Sequence, residues 1–217
     1  MKSKLPKSWS EIKIGQYIQL RRILVDTYPT EIDRQAEILC LFTGKTKKDI
    51  DDMPIVELKR QVSALNFISD LTTLPKKIPT FFILRGKVYD VERNMNNITG
   101  YQFIDLSTFT KNKEEINENL HKILAVLCVP RKRFFKKGKY NGERVPELSE
   151  LFYNELSMAV AYPLSVFFCN VMNQLPSSMM EYSDQELMKQ KAELDNLMNK
   201  LKNDSRITTD GFSPSML

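Results

Sequence analysis

The chain has 217 residues, 42% of them hydrophobic, enough for a real core in one domain or two small ones. Only 7 residues are glycine, which argues against all-β folds and against enzymes built on glycine-rich loops, and a net charge of +5 is that of ordinary solvated surface. Three well-separated cysteines (Cys40, Cys128, Cys169) inside apolar runs read as small buried hydrophobes in a reducing compartment, and a single histidine with no Cys-x-x-Cys leaves no basis for a zinc site.

Residues 1–8 form a basic arm, followed by polar Ser8-Trp9-Ser10-Glu11 instead of the apolar core of a leader peptide. Trp9 is expected to pack beside Ile12 and Ile14. Tyr17, Ile18, Leu20, Ile23 and Leu24 then have helical spacing, and Tyr28-Pro29 ends the helix. Thr30-Glu31-Ile32-Asp33 caps a second helix, which carries Ala36, Ile38, Leu39, Leu41 and Phe42 and stops at Gly44. Lys45 to Asp52 is a charged connector of about one helical turn. Met53-Pro54 opens a third helix, with Val56, Leu58, Val62, Leu65, Phe67 and Ile68 as its apolar face.

The clearest strand signal is Phe81 to Val91, two apolar runs around Arg85-Gly86-Lys87, read as a β-hairpin with glycine where φ must be positive. Helical patterns resume with Thr99 to about Thr110 and with Glu114 to Cys128, the latter with acids in its first turn. Arg131-Lys132-Arg133-Phe134-Phe135-Lys136-Lys137-Gly138-Lys139-Tyr140 is a basic and aromatic loop. Pro146 opens another helix, and Pro163 the last buried element, Leu164 to Met172. The longest apolar runs, Ile123 to Val129 and Ala159 to Val171, fall short of the roughly 20 residues that cross a bilayer. Pro176-Ser177-Ser178 marks a boundary. Beyond it, 184–203 reads as an amphipathic helix with Leu187, Leu194 and Leu201 at heptad spacing and Leu197 and Met198 between them, and 204–217 is a polar tail.

The two halves align with each other. Gln16 to Ile23 matches Gln102 to Phe109, Ile38 to Phe42 matches Ile123 to Leu127, and Met53-Pro54 lies near Val145-Pro146. The expected fold is therefore mainly α with a small β-hairpin (α+β): two pseudo-repeated three-helix units flank the hairpin in a body spanning 9–175, followed by the linker, helix and tail of 176–217.

No dinucleotide fingerprint, phosphate-binding loop or nucleophile elbow is present. Asp51-Asp52 and Glu114-Glu115 are adjacent and do not face each other on a helix. His121 reads as a partly buried helical histidine with no partner that would make it a general base. Two stretches remain as candidate binding residues. One is the helix seam Leu187, Leu194, Leu197, Met198 and Leu201, for a partner helix. The other is the loop residues Arg131, Lys132, Arg133, Phe134, Phe135, Lys136, Lys137 and Lys139, a mixture that can hold phosphates or acidic side chains and stack on rings. No cofactor, metal or membrane contact is expected.

Ser8 to Tyr17, the turn Leu41-Phe42-Thr43-Gly44-Lys45, the hairpin piece Gly86-Lys87-Val88-Tyr89, Thr99 to Leu106, and Leu120-His121-Lys122-Ile123-Leu124-Ala125 together resemble small proteins in the structural modules of tailed bacteriophages. They look most like those of the crAss-like group, which infect Bacteroides-like hosts. The resemblance covers about residues 8–175, and its motifs are structural. It implies a non-enzymatic protein similar to a tail-assembly chaperone or a minor virion component. The implied partners are portal, tail or capsid-associated proteins and a further copy of the chain, and the implied location is the virion or the host cytoplasm during assembly. It supplies no catalytic residues. The alternative left by the basic loop is a nucleic-acid-binding accessory or packaged cargo protein.

Overall fold

The structure is a computed structural model that describes residues 5–70, 73–112, 115–131 and 138–174, with side chains up to residue 170. It is mainly helical with one small antiparallel sheet. The chain runs α1 (Ile14–Val25), α2 (Glu31–Thr43), α3 (Lys47–Asp51), α4 (Ile55–Ala64), β1 (Phe81–Leu84), β2 (Lys87–Val91), α5 (Gly100–Thr110), α6 (Leu120–Leu127), β3 (Cys128–Pro130), α7 (Val145–Glu155) and α8 (Met158–Gln174).

Local chemistry sets most boundaries. Thr30 caps α2 by accepting the Asp33 N–H at 3.2 Å, and Gly44 closes that helix at φ 67°. Thr46 and Asp49 form a capping box on α3, as Thr99 and Gln102 do on α5. The hairpin turn is Arg85-Gly86, with φ 48° and 69°, the two positive values of a type I′ turn that matches strand twist. The register pairs Phe82 with Tyr89 and Ile83 with Val88.

The core is built around α6, whose residues Ile123 to Leu127 are all buried. Helix α7 packs along α6, α5 covers another side, and α1 reaches α7. Inner residues of the sheet join through an aromatic cluster. Phe82 stacks on Tyr89 at 5.3 Å, and both meet Phe152 edge-on. Buried Gln102 is satisfied twice: its amide donates to the Val126 carbonyl at 3.0 Å, and its oxygen accepts the Thr99 N–H at 3.1 Å. Trp9 is 3% exposed, packed down as expected, and its ring lies edge-on to Tyr17 and Phe67. The segment after it is stitched to the α7–α8 junction: Ile14 N–H donates to Leu156 O, Met158 N–H to Ile12 O and Ala159 N–H to Trp9 O.

Four sequence expectations are corrected. The hairpin is not the whole sheet: α6 runs directly into β3, which pairs with β2, giving the order β1-β2-β3. Apolar Cys128-Val129 suits a buried strand as well as a helix end, and the Pro130 that stops the helix lies at the strand terminus. Second, α6 begins at Leu120, not near Glu114. Asn119 donates its side-chain amide to the Phe109 carbonyl at 3.2 Å, ten residues back in the chain, and stands outside the helix as its N-cap. Third, Pro163 lies inside α8 rather than at its start. The first N–H groups of α8 find carbonyls on the N-terminal segment, so the helix can begin at Met158 ahead of the proline. Fourth, Pro54 is the N-cap of the third long helix, and Val56 is 78% exposed, leaving Leu58 and Leu65 as the buried anchors.

Cys128 is fully buried and Cys40 and Cys169 partly so; burial pushes all three thiols up, away from thiolate reactivity. Among the described residues no helix is long and apolar enough to cross a membrane, and no three potential metal ligands cluster.

Candidate partner-binding site

Of the sequence-predicted binding residues, Leu187, Leu194, Leu197, Met198 and Leu201 lie outside the described residues, as do Lys132 to Lys137. What the structure describes is the base from which the basic loop departs and to which it returns.

The outgoing end is fixed by electrostatics. Arg131 follows β3, and its N–H donates to Val88 O at 2.8 Å, extending the ladder by one residue. Its guanidinium Nε lies 3.0 and 3.1 Å from the two oxygens of Asp90, and the group sits over the Phe81 ring at 5.3 Å. The side chains are only 24% and 15% exposed, so this pair is screened less than the other described ion pairs, each of which has a partner at least 30% exposed. The carboxylate holds the Arg131 pKa above its ordinary value, chiefly through the hydrogen bond. The first cation of the loop is thus already committed to the sheet.

The returning end is fixed by shape. A Cβ on Gly138 would overlap the Pro130 carbonyl oxygen and lie 2.9 Å from Val129 Cγ1. Only glycine lets the returning backbone lie this close to β3. Two residues on, the Tyr140 hydroxyl donates to Asp105 Oδ2 on α5. Burial first, and the carboxylate second, push the phenol pKa up, so the hydroxyl remains a donor. Lys139 is exposed between these two anchors. It lies at a cleft of about 290 Å³ whose other walls include Pro130, Asn141 and Arg144. Arg144 reaches Glu147 only at 3.7 Å and keeps 42% of its side chain exposed.

The outer face of the sheet adjoins this neck. Strand alternation and register place Phe81, Ile83, Val88, Asp90 and Arg131 on one side, opposite the aromatic cluster. Phe81 is 47% and Ile83 65% exposed. The arrangement can bind: it offers rings, aliphatic surface and cations on a fixed base. The apolar face was hidden to sequence reasoning because Phe81-Phe82-Ile83-Leu84 is apolar at every position, so no polar alternation marks which side is outward.

We expect Gly138→Ala to open this neck. The added methyl displaces backbone, not a flexible side chain, so a cost of about 1–3 kcal/mol is expected. Limited trypsin digestion checks it: cleavage within 131–139 should quicken several-fold over wild type, while sites in α6 and α7 stay protected.

Comparison with protein-family models, with curated proteins and with solved structures finds no match to this chain.

Proposed function

We propose that the chain is a non-enzymatic bacteriophage protein, a minor virion component or a head or tail assembly factor, that works through protein–protein contacts. The supporting observation is the pinned neck. Arg131 on Asp90, Gly138 on Pro130 and Tyr140 on Asp105 fix the two ends between which the most basic stretch of the sequence runs, and Arg131 lies on the same sheet face as exposed Phe81 and Ile83. Such a pairing of charge and apolar area suits a protein surface. The phage setting comes from the resemblance of residues 8–175. Mass spectrometry of material captured with tagged chain from infected cells tests it. Portal, tail or capsid-associated proteins should be recovered in near-stoichiometric amounts. A chain that sediments alone throughout infection overturns the proposal, as does robust turnover by purified protein that a point mutation abolishes.

In this reading the seam of 184–203 carries attachment or self-association. An isolated helix of that length is marginal in water, and a narrow heptad seam is the form a coiled-coil contact takes. Leu194→Asp combined with Leu201→Asp should abolish assembly in sedimentation experiments while the circular dichroism and melting of the body stay unchanged. Normal assembly by the double variant would remove the helix from the mechanism.

The body is further read as a duplicated unit. In support, Gln16 and Gln102, aligned by sequence, hold the same place in α1 and α5: each accepts its N-cap backbone N–H, at 3.0 and 3.1 Å.

The exposed Lys139 at the cleft supports a second reading, an accessory or cargo protein that binds nucleic acid. Phosphate contacts would make oligonucleotide affinity fall steeply with salt, and a shallow dependence rules this reading out.

A further inference from the structure

Strand β1 lies at the edge of the sheet, and among the described residues nothing pairs with its outer side. The Val91 N–H donates to Thr80 O at 3.0 Å, so residues 80 and 91 are a hydrogen-bonded pair. Alternation along the antiparallel ladder then turns the N–H and C=O of Phe82 and Leu84 toward β2 and those of Phe81 and Ile83 outward. The same two residues carry the exposed side chains. One short edge thus offers two unpaired backbone positions and two apolar side chains, the combination that extended peptides use when they add to a sheet.

Charge selects the occupant. Lys76 and Lys77, on the approach to β1, are exposed and form no ion pair among the described residues. At the other end of the strand Arg85 is held by Glu155, and across the outer face Arg131 is held by Asp90. The unmatched positive charge is therefore greater at the approach to the strand, with Lys76 and Lys77, than at the turn, where Lys87 alone is exposed and without an ion pair among the described residues. A second copy fits poorly. Two-fold antiparallel pairing that sets Phe81 against Ile83 would bring Lys76 and Lys77 of each copy toward the Arg85-Gly86 turn of the other, where Lys87 also stands, and like charges placed together oppose association.

We infer that β1 binds, by antiparallel strand addition, an extended segment of a different protein whose alternate side chains are apolar and whose C-terminal end is acidic. The inference deepens the assembly reading and rests on it for the setting.

The probe is a fluorescent peptide of alternating valine and threonine with a C-terminal run of glutamates, titrated with the full chain by anisotropy. Saturable binding is expected, weakened at least ten-fold by Ile83→Pro, which removes an outward N–H and no ladder bond. Ile83→Lys, which leaves the backbone intact, should do the same if the proline variant fails to fold. Lys76→Glu with Lys77→Glu should transfer preference to an otherwise identical second peptide that ends in a run of lysines. Equal binding of both peptides by wild type, or unchanged binding by the variants, overturns the inference. So does a dimer in sedimentation equilibrium that Ile83→Lys dissolves, which would give the edge to a second copy. A chain that ignores the peptide yet captures phage structural proteins overturns this inference alone; one that binds the peptide and captures none overturns only the assembly reading.

Discussion

Replacing Phe152 by alanine should lower the unfolding free energy by about 3–5 kcal/mol. Phe152 is 0% exposed and stands on α7 where the helices meet the sheet. Its ring lies 5.7 Å from Phe82 at 66° and 5.3 Å from Tyr89 at 75°, two edge-on contacts that each add to simple burial. Phe82 and Tyr89 are themselves stacked, so the cavity would open between a rigid strand pair and a helix also held against α6, and neither side can collapse easily to fill it. Typical domains have about 5–15 kcal/mol in total, so the loss is a large share of the stability. Urea denaturation followed by far-ultraviolet circular dichroism measures it: the midpoint should fall sharply at an unchanged slope. A shift below about 1 kcal/mol would mean that the sheet is not anchored through this ring.

The second large effect is a loss of stability in mild acid, set by His121. Its Nδ1 is buried without a hydrogen-bond partner, and the ring lies edge-on to Tyr153 at 5.1 Å. Burial, with the neighbouring Lys122 charge second, lowers its pKa from 6.5 to about 4. The folded protein therefore keeps the ring neutral where the unfolded chain takes up a proton. Above pH 6.5 the two states bind protons alike and this site has no slope. Between 6.5 and 4 the unfolded state binds more, so stability falls as pH falls. The full shift corresponds to at most about 3 kcal/mol, and nearer 2 because the ring keeps some contact with water. Denaturation at pH 7 and pH 5 should show most of this loss for wild type, and His121→Gln should flatten the difference. An equal loss in the variant would place the acid sensitivity elsewhere.

Much of the fold was legible because local chemistry and tertiary packing agree. Thr30, Gly44, Thr99 and Gly86 each stand where their capping or turn role puts them, and the helices they bound follow the apolar spacing. Two of the failures share one cause. Strand β3 takes its identity from β2 beside it, and the start of α8 from carbonyls of residues 9–12, partners far away in the chain that a local window does not contain. At the candidate site, the basic loop was visible from composition, but its base was not. Nothing local marks Gly138 as the contact with Pro130, or Asp90 as the counter-charge of Arg131. The exposed edge of β1 was hidden for the same reason: a hairpin reads alike whether a third strand joins one side or the other.

The stitching of residues 9–14 to 156–159 bears on when this body can fold. Those contacts join segments separated by nearly its whole length, and α1 also rests on α7. Bringing such distant segments together costs loop-closure entropy before any contact compensates for it, a feature of slow-folding topologies. During synthesis, α1 to α4 emerge first with the backbone partners of Trp9, Ile12 and Ile14 at residues 156–159 still missing, and the hairpin waits for β3 and Phe152. Final closure comes only after Ala159 is available. Until then the apolar face of the N-terminal half stays open to solvent, and at high expression that interval, more than any weakness of the finished fold, is when the chain is exposed to aggregation.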